Sequence, residues 1–290
     1  MDLSRTHRNA GPTNLIVLCA TLALFLFITA CIPKLSPPEM TATVVAAFTP
    51  TPIPTPTPAT ISAVQDLAAL IEAAADGEVM TLGPGTFTLA SGLEIKKNLT
   101  LIGSGADQTL ITVANPAADY KVALINTGNT TLTLQNLSLN YSGGSPAAVL
   151  GMLAGNLIMD DCTLSGASLS ESGTQLGLLS VEKDSSALVK NSRFLGNPEK
   201  ADPENPAKIP GGIFVSGSAR LTLENSLIDG SYIGVYAYGS SIVNLNRNEI
   251  NNTYAAAAFL EESHAEITGN TLQWSKGVQI GIFGNARMTA

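Results

Sequence analysis

The sequence predicts an all-β solenoid, because one pattern of apolar and polar residues recurs from about residue 136 to residue 290. Six segments align on one apolar anchor. The positions five and seven residues before each anchor are also apolar, and the position four residues before it is polar. The anchors are Leu139, Leu164, Phe194, Ile228, Ile250 and Leu272. Apolar residues two apart indicate a strand with one buried face, and its recurrence predicts stacked coils that cover one another's core.

The spacing of the anchors gives the length of one coil. The anchors lie 25, 30, 34, 22 and 22 residues apart, so the bare coil has 22 residues. The excess in the two longest spacings predicts loops at 165–175 and 196–210, where residues that break strands concentrate. In a solenoid such an insertion is either part of a binding face or a tolerated surface loop, and the sequence leaves both interpretations open.

A column of Asn and Asp residues three positions before the anchors predicts a tight turn in every coil. These residue types tolerate left-handed backbone, and stacked Asn side chains can form a hydrogen-bond ladder between coils. The predicted structural ladder comprises Asn136, Asp161, Asn191 and Asn225, followed by Asn248 and Asn270, where Asn moves by one position. Cys162 falls in the following column, where a small stacked side chain needs no thiol chemistry.

A short helix is predicted at the start of the solenoid. Ser62 followed by Gln65 matches a capping box. Val64, Leu67, Leu70 and Ile71 then lie on one face of a helix. Such a helix would cover the open core and the strand edge of the first coil, which a solenoid needs at its end.

The other end of the predicted solenoid stops in the middle of a coil. Residues 284–290 match residues 217–223 of an earlier coil. An uncovered strand edge promotes association with other chains. We therefore expect either further coils in a longer protein, which is the interpretation that we favour, or a partner chain over this end.

Two segments carry a resemblance to a known family. Residues 212–228 and 234–250 resemble coils of a right-handed parallel β-helix of the pectate-lyase-like type, and the entry segments 80–87 and 99–105 are similar to its first coils. The resemblance covers about residues 61–290. It implies an all-β, right-handed parallel β-helix solenoid with a short N-terminal capping helix. The family includes lyases, hydrolases, epimerases, adhesins and binding proteins, so the resemblance fixes no reaction.

The first thirty residues are typical of a bacterial signal peptide. Arg5 and Arg8 precede an apolar run at 15–28, which is short for a membrane span. The run leads into four residues that end at Cys31 and resemble a bacterial lipobox, in which the Cys is acylated and becomes the mature N-terminus. The alternatives are a plain signal peptide or a signal anchor.

The segment 31–60 is predicted to be a lipidated Cys followed by a linker. Thr and Pro alternate through much of 49–60, which favours an extended spacer between the membrane and the solenoid. Lipid on Cys31 would give a stable membrane anchor. Ile32 is not an acidic retention residue, so analogy with bacterial lipoproteins predicts an outward-facing position in the cell envelope, on the outer membrane or the cell surface.

Charge and cysteine content exclude several classes of protein. From Cys31 onward the chain has 13 basic and 22 acidic residues, a net charge of −9. This charge does not favour binding of nucleic acid, and an acidic surface repels polyanions such as pectate or alginate unless a local basic patch or calcium compensates. Cys19 lies in the predicted signal peptide, so no disulfide framework is expected. The sequence also predicts no cofactor.

The enzyme hypothesis depends on carboxylates that converge on one face of the solenoid. Glu182 and Asp184 share a strand face near the 196–210 loop, and together with Arg220 they are the weak catalytic candidates. The other pairs of charged residues in one column lie two or three coils apart, except Lys190 and Glu224, which are neighbours but would form an exposed pair that contributes little. His264 is the only His after the predicted signal peptide, so we expect no metal site and no His-based triad.

The binding hypothesis depends on aromatic residues. Phe214 and Tyr236 occupy one outward column on neighbouring coils, and Tyr238 follows two residues later. Aromatic faces at strand spacing suit the apolar faces of sugar rings; the alternative is that they pack under the 196–210 loop or on each other. We therefore predict a surface-anchored lipoprotein that binds a polysaccharide or cell-wall glycan without catalysis. The alternatives are a polysaccharide lyase or glycoside hydrolase, and a structural or adhesion spacer.

Overall fold

The computed structural model describes residues 60–167, 177–196, 211–273, 275 and 277–290. They form a right-handed parallel β-helix with one short helix, as the sequence predicts. The predicted signal peptide, Cys31 and nearly all of the linker lie outside the described residues, as do most of the two predicted loops. Within the described ranges, no helix has the length and apolar character that crossing a membrane requires.

The elements follow in chain order: β1 (Thr60–Ile61), α1 (Leu67–Ala73), β2 (Glu78–Leu82), β3 (Gly85–Leu89), β4 (Leu93–Ile95), β5 (Leu99–Ile102), β6 (Thr109–Val113), β7 (Val122–Asn126), β8 (Thr131–Tyr141), β9 (Ala148–Met152), β10 (Asn156–Ser165), β11 (Gly177–Val181), β12 (Ser186–Lys190), β13 (Arg193–Leu195), β14 (Gly211–Val215), β15 (Arg220–Glu224), β16 (Leu227–Asp229), β17 (Ile233–Ala237), β18 (Ile242–Asn246), β19 (Glu249–Asn251), β20 (Ala255–Phe259), β21 (His264–Thr268), β22 (Thr271–Gln273), β23 (Ile280–Ile282) and β24 (Arg287–Thr289).

Three strand faces surround the core. The first face contains β1, β2, β5, β12, β15, β18, β21 and β24, and the second contains β3, β6, β13, β16, β19 and β22. The long strands β8 and β10 pair with strands of both faces, so the two faces join in one 16-stranded sheet within the described residues. The third face is a separate sheet of β4, β7, β9, β11, β14, β17, β20 and β23. Strands of neighbouring coils pair in parallel, as the β-helix requires.

The strand register confirms the apolar columns of the sequence. Each anchor pairs with the next one along the chain, from Leu139 to Leu272. The column five residues earlier is also in register, from Leu134 to Ile267. Most of these side chains are buried. The inward residues of each coil stack on those of the next coil and are thereby removed from water. Each fully buried Leu or Ile then contributes about 1.5–3 kcal/mol of transfer free energy.

The turn that follows the first face has the left-handed backbone expected from its Asn and Asp residues. The φ angle is 54° at Asn136, 50° at Asp161, and 48° at both Asn191 and Asn225. Arg247 occupies the same turn of the next coil with a φ of 54°. The column therefore marks a repeated backbone conformation, which Asn and Asp adopt at lower cost than most other residues.

The hydrogen-bond ladder between coils runs through the following column, one position later than expected for most of its members. There, a side-chain oxygen of one coil accepts the backbone N–H of the preceding coil. The successive donor–acceptor pairs are Cys162 N to Ser192 Oγ, Ser192 N to Ser226 Oγ, Ser226 N to Asn248 Oδ1, and Asn248 N to Asn270 Oδ1. This column is more deeply buried than the turn residues, so its backbone groups need partners within the protein.

The N-terminal helix starts later than the capping-box pattern predicts. Asp66 is the N-cap, and its side chain accepts a hydrogen bond of 3.1 Å from the N–H of Ala69. Leu67 and Ile71 are buried against the first coils, in agreement with the predicted apolar face. Val64 precedes the helix and is 94% exposed, so its predicted place on that face is wrong.

Candidate functional site

A groove of about 490 Å³ lies on the outer surface of the third face, across four successive coils. It extends from the coil of β11 through those of β14 and β17 to the turn after β20. The residues that line it are Ser180, Glu182, Phe214, Ser216, Tyr236, Tyr238, Leu260 and Glu261. This groove brings the three aromatic ligand-binding candidates together with one of the catalytic candidates, Glu182.

Strand alternation places these side chains outside. Ser180, Phe214 and Tyr236 are register partners in β11, β14 and β17, while their neighbours along each strand point into the core. The next outward position, two residues later, is occupied by Glu182 in the first of these coils and by Tyr238 in the third. Two adjacent outward columns therefore form the groove. The first lies on the parallel sheet, and the second lies one residue beyond the ends of its strands.

The three aromatic rings form one cluster. The ring centroids of Phe214 and Tyr236 are 5.6 Å apart with an interplanar angle of 71°, and those of Tyr236 and Tyr238 are 5.5 Å apart at 55°. Both distances lie in the range of favourable edge-to-face aromatic pairs. The cluster therefore holds its rings in place in the absence of a ligand.

Phe214 and the tyrosines have different roles in the cluster. The ring of Phe214 packs over Gly177 and Gly211, where any Cβ atom would overlap it, and Phe214 is only 9% exposed. Tyr236 is half-buried, whereas Tyr238 is 39% exposed. Phe214 is thus the floor of the groove, and the tyrosines offer the surface that a ligand can contact.

A carboxylate lies towards each end of the groove. Glu182 is half-buried, and this burial raises the pKa of its carboxyl although the positive charge of Lys183 partly opposes the effect. Glu261 is exposed, and its carboxylate accepts a hydrogen bond of 3.0 Å from the N–H of Gly239. The two glutamates are three coils apart, which corresponds to about 14 Å at the usual spacing of strands.

The other two catalytic candidates do not line the groove. Asp184 is exposed and accepts a hydrogen bond from the hydroxyl of Ser218. Arg220 is exposed at the start of β15 on the first face, in register with Ser186 and Ile242. The structure therefore does not gather Glu182, Asp184 and Arg220 into one site. In the described part of the chain, no group of three His, Cys, Asp or Glu side chains is arranged to hold a metal ion.

A second aromatic pair lies at the opposite edge of the third face. Tyr232 and Tyr254 precede β17 and β20, and their rings are stacked with centroids 5.1 Å apart. Neither lines the groove. Trp274, which the sequence also places near a coil corner, lies outside the described residues. This pair serves as a useful comparison for the groove, because Tyr254 is 36% exposed and Tyr238 is 39% exposed.

Sequence reasoning missed Glu261 as a groove residue. It occupies a turn position at which two preceding coils have Gly217 and Gly239, and all three have left-handed backbone, with φ angles of 59° to 73°. A non-glycine residue is uncommon in this conformation. The sequence does contain a signal for this position. When the coils are aligned, Glu261 stands where the two preceding coils have a turn glycine.

The comparisons with known proteins concern the fold. The family model described as the right handed beta helix region matches residues 112–290. A pectin methylesterase from carrot is 12% identical, with 78% of this chain and 89% of that chain covered and a TM-score of 0.46. The pectin methylesterase PemA from Erwinia chrysanthemi is 13% identical, with 74% and 80% covered and a TM-score of 0.40.

An alginate lyase from Paenibacillus sp. is 14% identical, with 79% of this chain and 98% of that chain covered and a TM-score of 0.38. A search of the curated proteins gave no match. At such identities and TM-scores, we transfer no reaction and no site residue from these structures to this chain. The function therefore depends on the residues of the groove and not on the fold alone.

Proposed function

We propose that this chain, which belongs to the right-handed β-helix family, is a surface-anchored lipoprotein that binds a polysaccharide or cell-wall glycan without catalysis. The observation that carries the proposal is the groove of the third face, where Tyr236 and Tyr238 lie beside polar side chains at fixed strand spacing. Ligand sites of proteins are commonly concave, with apolar walls and a few well-placed polar groups.

The chemistry of the groove suits a sugar ring. The faces of Tyr236 and Tyr238 are apolar, while their hydroxyl groups donate and accept hydrogen bonds. The hydroxyls of Ser180 and Ser216 and the carboxylate of Glu182 add polar contacts around these faces. Since Ser180, Phe214 and Tyr236 stand on strands and the other groove residues lie within two residues of a strand end, little ordering is needed when a ligand binds, which favours affinity.

The positions of the carboxylates favour binding over hydrolysis. Glycosidases use two carboxyl groups about 5–9.5 Å apart. Glu182 and Glu261 are three coils apart, or about 14 Å by strand spacing. Among the described residues that line the groove there is also no Lys, Arg or His to act as a base or to neutralise a uronate. The described groove residues therefore offer a bound sugar hydrogen-bond acceptors, but they offer no general acid paired with a general base.

The proposed anchor rests on the N-terminal sequence alone. An apolar run at 15–28 ends shortly before Cys31, and a Thr- and Pro-rich linker follows. Acylation of Cys31 would hold the β-helix at the outward face of the bacterial envelope, within reach of surface glycans. Metabolic labelling with a fatty-acid analogue should label the wild-type chain and should not label the Cys31→Ser variant. Equal labelling of both chains would contradict the proposed lipid site.

The test of the binding function is a glycan panel with the full-length chain, read both for binding and for release of unsaturated or reducing ends. We expect binding without products. We also expect Tyr238→Ala to weaken binding, whereas Tyr254→Ala, a change at a similarly exposed tyrosine outside the groove, leaves it unchanged. A panel without any bound glycan would contradict the proposal and would favour a structural or adhesion spacer.

A second candidate function, a polysaccharide lyase or glycoside hydrolase, draws on one observation. Glu182 is half-buried beside the aromatic cluster, and its raised pKa is a property of many general acids. In this alternative the panel releases products and Glu182→Gln abolishes the release. The variant removes the titratable group but keeps the size of the side chain. Loss of products with retained binding would establish the enzyme and refute the non-catalytic proposal.

A further inference from the structure

We infer that the groove prefers glycans that carry free amines over their N-acetylated counterparts, and that it rejects polyuronates. This inference rests on the proposed binding function, and it names the class of glycan. Its basis is the combination in one groove of aromatic faces with two carboxylates, Glu182 and Glu261, in the absence of any cationic side chain among the described residues that line it.

Among the described residues, little positive charge compensates the negative charge of the groove. The Glu182 carboxylate is half-buried, and no hydrogen bond joins it to another residue of the described ranges. Lys183 is adjacent in sequence, but its side chain is exposed and does not line the groove. The Glu261 carboxylate accepts one backbone N–H, from Gly239, and has further lone pairs for a ligand. Both glutamates therefore retain the capacity to accept hydrogen bonds from a cation.

Aromatic faces strengthen the same preference. A cation within about 6 Å of a Tyr or Phe ring is attracted by the ring quadrupole, and quaternary or protonated amines are recognised in this way. Tyr236 and Tyr238 lie between the two carboxylates along the groove. A sugar unit that stacks on these rings would bring a ring substituent close to a carboxylate, where an ammonium group gains and a uronate carboxylate is repelled.

The arrangement also gives the direction of the glycan. The line from Glu182 to Glu261 crosses the coils of β11, β14, β17 and β20, so it runs along the axis of the solenoid. A polymer with an amine on successive sugar units, laid along this line, meets both carboxylates and the aromatic cluster together. A single amino sugar meets only one of the carboxylates, because they are about 14 Å apart by strand spacing.

The test compares three oligosaccharides of equal length by calorimetry with the full-length chain at low salt and at a mildly acidic pH, where the amines of the glucosamine oligomer carry their protons. The probes are a glucosamine oligomer, the same oligomer with every amine acetylated, and a galacturonate oligomer. We expect the glucosamine oligomer to bind about threefold to tenfold more tightly than the acetylated one, as one or two exposed cation contacts provide. The galacturonate oligomer should bind most weakly, and added salt should reduce the preference for the amine.

The double variant Glu182→Gln/Glu261→Gln should bring the two glucosamine-based probes to equal affinity. The matched control is Glu262→Gln, which removes the same charge one residue outside the groove and should keep the preference. Spermine, a polyamine without sugar rings, should bind more weakly than the glucosamine oligomer.

The outcomes separate the two proposals. If the acetylated and free-amine oligomers bind wild-type protein equally, or if the galacturonate oligomer binds best, the amine preference is overturned while glycan binding stands. Spermine binding as tight as that of the glucosamine oligomer would also overturn it, because charge alone would then account for the affinity. If no oligosaccharide binds, the proposed glycan-binding function itself fails.

Discussion

Asn248 joins three successive coils, and its replacement by Ala tests whether the buried column carries the ladder between coils. The Asn248 side chain accepts a hydrogen bond of 2.9 Å from the N–H of Ser226 and donates one of 2.8 Å to the carbonyl of Leu223. Its own N–H donates to Oδ1 of Asn270 at 2.7 Å. Asn248→Ala removes the first two bonds and keeps the third.

The expected loss follows from the one backbone group that the variant leaves without a partner. The N–H of Ser226 lies in the buried column, and a buried polar group without a partner costs about 1–3 kcal/mol, whereas the carbonyl of Leu223 keeps its place in the ladder between β15 and β18. The free energy of unfolding should therefore fall by about 1–3 kcal/mol. The control is Asn225→Gly in the turn column, which loses one hydrogen bond to the side chain of Arg247 and keeps a φ that glycine adopts easily. Its effect should stay within about 0.5 kcal/mol.

The assay combines urea unfolding with hydrogen exchange. Coils of a solenoid contact only their neighbours, so the loss can be local, and exchange resolves which amides lose protection. In Asn248→Ala we expect the amide of Ser226 to exchange at least about tenfold faster, since a tenfold change corresponds to about 1.4 kcal/mol. Equal losses in Asn248→Ala and Asn225→Gly would refute the assignment of the ladder to the buried column.

Three further predictions concern single side chains. Glu182→Gln should raise the free energy of unfolding at neutral pH, because burial raises the folded-state pKa of Glu182 and penalises its charged form. Urea titrations should show that this gain disappears as the pH falls through the folded-state pKa to below 4.5. A gain that does not depend on pH would contradict this cause. Phe194→Ala should lower the free energy of unfolding by about 3–5 kcal/mol, because the ring is fully buried in the anchor column; a loss below about 1 kcal/mol in urea would contradict that burial. Cys162 is buried and its thiol pKa is raised to about 12, so mass spectrometry should find it unmodified by iodoacetamide in the native protein and alkylated in urea; rapid native alkylation would be inconsistent with the packing.

The fold could be predicted from the sequence because the coil repeats. The anchor column pairs in register from Leu139 to Leu272 despite spacings that differ by up to twelve residues. Apolar and polar residues alternate around each anchor, so only one strand register buries all the apolar residues. A shift of one residue would turn the apolar side chains of the strand towards solvent. The left-handed turn at Asn225 could be predicted as well, because few residue types adopt that backbone conformation at low cost.

The candidate site could be predicted only in part. The aromatic column of Phe214 and Tyr236 follows from the repeat, and the structure places both in one groove. Strand alternation alone puts Glu182 and Asp184 on one face, but the left-handed backbone of Lys183, with a φ of 58°, ends the alternation, so Glu182 lines the groove beside Tyr238 and Asp184 does not. Glu261 enters the groove through a turn conformation, and turn side chains have no periodic pattern that reveals their direction.

The proposed function requires the groove of the third face to bind a glycan through its exposed tyrosine rings. The most direct measurement is the affinity of the full-length chain for the tightest ligand of the panel, compared between Tyr238→Ala and Tyr254→Ala. We expect Tyr238→Ala to lower the affinity by about fivefold or more, since stacked aromatic contacts contribute about 1 kcal/mol or more, and we expect Tyr254→Ala to have no effect. Unchanged affinity in Tyr238→Ala together with a loss in Tyr254→Ala would contradict the claim and move the site to the stacked pair at the other edge of the face.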